Sequence, residues 1–466
     1  MSLSDIRGVP VSTANRASLE KYERAADLFL SYFNDPFATI DSALAEDPEF
    51  IMGLCLRAAL IVSATDRNFE PELKSTVERL EALAPKANDR ERQHMAAARA
   101  WLDGDYAGSM TRYGRILEDY PLDGLALQIA HLGDFLLGHA LQLRDRVARV
   151  LPFWNEETPG YGYVLGMHAF GLEEMGDYAR AEDRARKALD LNKRDPWAVH
   201  AAAHVMEMQG RQADGIKFMT QRIGDWAPDN GFAFHNWWHL ALYHLDLGEF
   251  DRVLDLYDTR IRNTGSNLPM EMLDGTALLW RLHLRDIDVG NRWQELADKW
   301  EARTDDLYYA FNDMHAMMSF IGDGRFTATK TLLKGMEQRV QNGDTNAMMT
   351  RDVGLPVCQA IAAYADGDYS KTVDLLLPVR PIANRFGGSH AQRDVLSLTL
   401  IEAALRGNRS RLARELAAER TELKPSSPFN WMLTARSLDG LGDRPAADKA
   451  RAAAQSNRTA ALQQAA

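Results

Sequence analysis

A glycine followed by a polar residue, and often then an aromatic, recurs along most of this chain, and that punctuation limits what the chain can fold into. The instances read DGDYAGSM at Gly104, LLGHALQL at Gly138, EMGDYARAE at Gly176, MQGRQADG at Gly210 and LGEFDRVLD at Gly248. They continue as GDGRFTATK at Gly324, DGDYSKTV at Gly367, RGNRSRLA at Gly407 and LGDRPAAD at Gly442. Subtracting neighbouring glycine positions gives 34, 38, 34, 38, 76, 43, 40 and 35 residues. The doubled interval implies a further turn near residues 286–290. This is the period of a two-helix unit, which cannot bury its apolar stripe alone and must stack on its neighbours. Glycine suits an interhelical turn because it enters the left-handed region without steric cost, and an aromatic after it can pack back on the preceding helix.

The second helix of each unit has the matching apolar spacing, as in Tyr178, Ala181, Ala185, Ala188 and Leu189, or Phe250, Val253, Leu254 and Tyr257. Pro121, Pro159, Pro196, Pro228 and Pro269 each fall about twenty residues after a turn glycine, where one helix has ended and another starts. No stretch alternates with a strand period. The prediction is an all-α chain, an α-solenoid of about ten degenerate helix-turn-helix repeats. Residues 1–88 form a divergent helical cap, 89–455 the repeat array and 456–466 a C-terminal tail that frays.

The pattern resembles the tetratricopeptide repeat family, whose paired helices stack so that the first helix of each pair lines a concave face. The likeness covers most of residues 95 to 455, although the family's early Trp and small residue are often missing.

Composition removes several function classes. With 66 acidic residues against 54 Lys and Arg the net charge is −12, and each basic stretch is diluted by acids, so no nucleic-acid footprint is expected. Cys55 and Cys358 each lie in an apolar helical stretch without a second Cys or His at metal-finger spacing, and read as inert buried thiols. No apolar run approaches membrane-spanning length and the N-terminal residues lack a leader pattern, so no membrane partner is expected and the cytoplasm is the expected compartment. Gly-rich phosphate loops, nucleophile elbows and Rossmann fingerprints are absent from the sequence.

Five of the twelve histidines cluster. His200 and His204 sit in HAAAHVMEMQG, and His235, His239 and His244 in FHNWWHLALYHLDLG, first helices of adjacent units. Residues four apart share a helix face, so each segment presents a His pair, and Glu207 extends the first row. By the resemblance, His200, His204, Glu207, His235 and Trp238 line the concave face together. Helices pack roughly 8–10 Å apart, so imidazoles from two helices can converge on one metal ion or ligand. Further candidates are Asp274 and Arg281 in LDGTALLWRL, His315 in FNDMHAMM, and His390, Gln392 and Arg393 in GGSHAQRDVL.

The runs HAAAHVMEMQGR, HNWWHLALYHLDLGEF, VLDLYD, LLWRL and GSHAQRD are similar to those of the tetratricopeptide repeat protein 38 family along nearly the whole chain. That likeness implies fold and membership and carries no assigned site residues.

Each candidate has a plain reading beside the functional one. Neutral imidazole is the commonest metal ligand, and a catalytic zinc takes three protein ligands. His200, His204 and His239 are therefore candidate ligands of a divalent metal such as zinc, with Glu207, His235, Asp274 and His390 as acid–base groups. Trp238, Arg281, His315, Gln392 and Arg393 would contact ligand. The plain readings are hydrogen-bonded packing histidines, a Glu207–Arg211 surface pair, an Asp274–Arg281 ladder and a Ser389 helix cap. HExxH zinc proteases are excluded, because Glu207 does not adjoin the first His. Two functions stand open: a small-molecule enzyme or receptor, with metal-assisted hydrolysis or His acid–base chemistry, or a scaffold that grips a peptide in its concave face. A carboxylate needs donors, and the tetratricopeptide arrays this chain resembles use Lys, Arg and Asn to hold a peptide's terminal carboxylate, whereas the central segment here offers His, Trp and acids instead. Homo-oligomerisation is open in either case.

Overall fold

In a computed structural model of the chain, residues 3–465 are described. The fold is an all-α helical-repeat solenoid of stacked helix pairs. Ten pairs follow Asp89, from Asp89–Leu102 with Tyr106–Asp119 to Pro428–Gly440 with Arg444–Ala465. Two more precede it, Arg16–Ser31 with Pro36–Glu46 and Ile51–Ser63 with Glu70–Leu83. A two-stranded antiparallel pairing, Leu3–Ser4 with Pro10–Val11, lies outside the sequence expectation.

The turns form as their residues dictate. Gly104, Gly138, Gly176, Gly210, Gly248, Gly324, Gly367 and Gly442 all have φ between 65° and 82°. At the RGNRSRLA turn the left-handed position is instead Asn408, at φ 57°, with Gly407 at φ −83°. The turn implied inside the doubled interval is present after Pro269–His283, where Asp286 takes φ 57°. Asn and Asp tolerate this region better than other non-glycine residues, which is why a scan for glycine passes over it. Tyr106 stacks back on Trp101 of the preceding helix, their ring centroids 4.1 Å apart, and Pro196 and Pro269 open their helices.

The chain divides into two compact units. The first holds Met1–Ala202, Asp225–Ala233 and Gly343–Asn346. The two short segments are hydrogen-bonded into it: Gly231 N donates to Tyr32 O at 2.8 Å, and Thr345 N to Gly104 O at 3.0 Å. Its interior holds a polar cluster, in which the buried Arg90 meets Asp123 at 2.6 Å and Asp5 at 3.4 Å, and His94 meets Asp123 at 2.8 Å.

The second unit holds Ala203–Gly224, Phe234–Asn342 and Ala347–Ala466. Its last helix packs on the helix Gln212–Gln221 near its start. Arg458 Nε donates to Leu247 O at 2.7 Å, and Gln464 Nε2 to Asp214 Oδ1 at 2.7 Å. Ser426 Oγ adds a bond to Gly210 O at 2.5 Å. The stretch 456–465, expected as a fraying tail, thus continues a helix that is pinned at several points; Ala466 lies outside the described residues. Both cysteines are buried, and burial holds both thiols well above their ordinary pKa.

Candidate functional site

Four helices, in the parts that lie within the second unit, bring expected polar residues together. The helix Pro196–Met208 is capped by Asp195, whose carboxylate accepts from Trp197 N and Ala198 N at 3.0 Å each, and its alanine-rich face permits close packing. Its C-terminal half, from Ala203, carries His204 and Glu207 into the second unit. Tyr243 Oη donates to Ala203 O at 2.6 Å and ties it to the helix Ala233–Asp246, which supplies His235, Trp238 and His239. Pro269–His283 supplies Asp274 and Arg281, and His390–Arg406 supplies Gln392.

At the centre is a chain of four titratable groups. Asp274 Oδ2 lies 2.7 Å from His235 Nδ1. His235 Nε2 faces His239 Nε2 at 3.3 Å, and His239 Nδ1 meets Glu207 Oε2 at 3.1 Å. The His204 ring lies beside His239 with centroids 4.4 Å apart. One nitrogen from each of His204, His235 and His239 falls within 4.8 Å of the others. All three imidazoles are buried. Trp238 stacks on His235 at 5.3 Å between centroids and packs edge-on against His239, while the Arg281 guanidinium lies over its face.

Burial shifts two of these groups. Desolvation, reinforced by the neighbouring His204 and His235, holds the His239 imidazole well below its ordinary pKa. It raises the Asp274 carboxyl against the downward pull of His235. Three contacts join these four groups and each needs one proton, whereas two neutral imidazoles bring two. A third proton, or another cation between the two Nε2 atoms, completes the set.

The remaining candidates fall where chemistry and packing send them. His200, one turn before His204, belongs to the first unit and packs against Phe170, Trp197 and Phe232 there. Glu207 pairs with His239, and Arg211 pairs with Asp214 at 2.9 Å, so the surface pair between them does not form. The Asp274–Arg281 ladder does not form either: Arg281 donates to Ala277 O at 3.0 Å and Ala391 O at 2.6 Å. His315 Nδ1 bonds to Phe311 O at 2.8 Å, and burial pushes that imidazole down to about 4. Ser389 caps His390–Arg406 in a capping box with Gln392, whose side chain also bonds Asp274. His390 occupies the first turn of that helix, and Arg393 donates to Gly387 O and Gly388 O.

Beside the chain is a cavity of about 40 Å³ lined by Glu207, Asp246, Arg281, Arg285, Asp394, Arg420 and Lys424, with Leu242, Tyr243 and Phe429 among its apolar walls. This corrects the reading that the segment lacks Lys and Arg donors. They come from later helices, and the signal was in the sequence as two cation pairs four residues apart, Arg281 with Arg285 and Arg420 with Lys424.

No family model matches the chain. Solved structures of similar helical make-up include the human IFIT1 dimer with m7Gppp-AAAA, at 11% identity and a TM-score of 0.39 over 96% of this chain and 95% of that one. Yeast Tom70 is similar at 15% identity and 0.36 over 96% of each chain. The APC/C hetero-tetramer Cut9-Hcn1 is similar at 12% identity and 0.32 over 97% of each. Likeness of this size says nothing about what the present chain binds. Among the described residues no helix is long and apolar enough to cross a membrane.

Proposed function

We propose that this helical-repeat protein holds a divalent transition metal, zinc first among them, on His204, His235 and His239. The carrying observation is the pair of Nε2 atoms 3.3 Å apart, each on a ring whose Nδ1 is backed by a carboxylate. Zinc–nitrogen bonds of about 2.0–2.1 Å at a tetrahedral angle put two ligand nitrogens about 3.3–3.4 Å apart. A carboxylate accepting from Nδ1–H fixes the tautomer that offers Nε2 to a metal and makes it more basic. A metal ion between the rings also removes the need for a third proton, because the two outer contacts then use the two imidazole protons. His235, expected as an acid–base group, becomes a ligand in this reading, and Asp274 and Glu207 orient ligands.

Three protein ligands leave a fourth position for water, which a bound divalent ion would activate, so hydrolysis of a small molecule is the simplest chemistry. The likeness to the tetratricopeptide repeat protein 38 family rests on motifs and assigns no role. A second reading, a scaffold that holds a peptide partner, is favoured by the cationic cavity, which offers donors for a carboxylate.

Elemental analysis of untagged protein purified without chelator tests the metal reading, beside a folded His204→Ala/His239→Ala variant. Near-stoichiometric zinc or a similar ion in the parent and its loss in the variant would support it. No metal as purified, and no uptake when zinc is added back, would overturn it and leave peptide binding as the better reading.

A further inference from the structure

The groups lining the cavity pair off unevenly. Arg420 is matched by Asp394 through two contacts of 2.5 and 3.0 Å. Glu207 divides its oxygens between His239 and Lys424, the latter at 3.8 Å. Asp246 is satisfied by neutral donors, Ser427 Oγ at 2.7 Å and Gln212 Nε2 at 2.5 Å. Two guanidiniums remain. Arg281, 3% exposed, spends its donors on two backbone carbonyls. Arg285 donates to Leu245 O at 2.6 Å and lies 3.5 Å from the Phe429 ring centroid, while its buried Nε has no hydrogen-bond partner. Neither arginine forms a salt bridge within the described residues, so the lining carries four cations against three acids. Burial pulls Arg285 down to about 9 against the opposing pull of Asp246 and Asp394, and lowers Arg281 against that of Asp394 and Glu207, so the nearby carboxylates do not offset the desolvation of either guanidinium.

Burying a charged group without an ion-pair partner is costly, and guanidinium is built to donate to two oxygens at once. A water needs about 10–15 Å³ of such space, so this cavity takes about three, the size of one oxoanion head group and far less than a nucleotide. We propose that this cavity binds the carboxylate or phosphate group of a small molecule, held by Arg281, Arg285 and Lys424.

The inference stands on the cavity and its charges, with or without a metal at the histidines. Only the further step, that the anion belongs to a molecule presented to that centre, depends on the metal reading. Glu207 links the two, since it lines the cavity and bonds His239.

Titration calorimetry and thermal melting of chelator-treated full-length protein, with inorganic phosphate in one arm and acetate in the other at ionic strength held constant with chloride, provide the test. Saturable binding of at least one anion is expected, weakened at least tenfold in Arg285→Gln and in Lys424→Gln and partly kept in Arg285→Lys. The preferred arm identifies the head group. Absence of saturable binding in both arms, or equal binding by the parent and by whichever Gln variant folds, would overturn the proposal. Because metal is absent throughout, neither result depends on the metal assignment.

Discussion

Asp195 is a buried carboxylate whose Oδ1 caps a helix while its Oδ2 finds no hydrogen-bond partner. Burial pushes its pKa up to about 7 against the lowering effect of the two backbone N–H groups. A carboxyl whose folded pKa lies above its unfolded value gives stability that is complete below pH 4 and is lost as pH rises through about 7. Asp195→Asn keeps the cap and removes the charge, so it should stabilise the protein at pH 8 by ~2–4 kcal/mol and flatten the decline between pH 4 and 7. Denaturant titrations across that range would show it, and an unchanged slope would refute it. Asp274 works on a neighbouring imidazole. If His235 binds zinc, Asp274→Asn should weaken zinc affinity by about 10–100-fold in chelator competition while the helical signal is retained. Unchanged affinity would mean that the carboxylate does not orient the ligand.

The helical turns show how far local chemistry decides an element. Gly210 and Gly248 both stand in the left-handed region, at φ 68° and 73°, but their surroundings differ. A Cβ at Gly248 meets nothing within 4 Å, whereas one at Gly210 lies 2.8 Å from Ser426 Oγ and 3.2 Å from Lys424 Cβ. Gly248→Ala should cost about 1 kcal/mol from backbone strain alone, and Gly210→Ala measurably more. Equal losses in denaturant midpoint would contradict the close approach. This is also why the fold was legible: a left-handed turn writes itself in glycine at nearly every repeat, and only where Asn408 or Asp286 takes the position does the punctuation fade. The site was half legible. His204, His235, His239 and Glu207 lie on two helix faces that spacing alone reveals. Arg285, Arg420 and Lys424 come from helices distant in sequence, so which cations share a cavity depends on how the second unit closes, and no local period records that. Asp274 and Arg281 illustrate the same limit, because spacing put them on one face and packing gave each a different partner.

At the scale of the molecule, the second unit contains the three histidines, both orienting carboxylates and the cavity. A ligand that binds only the folded form stabilises what it binds by mass action, about 2.7 kcal/mol at a hundredfold excess over Kd. Zinc should therefore slow amide hydrogen exchange in residues 203–224, 234–342 and 347–466, with smaller change in 1–202. Protection confined to 1–202 would place the metal elsewhere. The segments 225–233 and 343–346 carry a different consequence. The first unit borrows them from far down the chain, with Asn230 Nδ2 bonded to Ser31 O at 3.1 Å and Tyr106 N to Thr345 Oγ1 at 3.1 Å. During translation, its amino-terminal helices must therefore wait until residue 346 has left the ribosome before their last contacts exist. A gene cut after residue 202 would encode an unfinished unit, and the natural seam for dissecting or permuting this protein is not a point in its sequence.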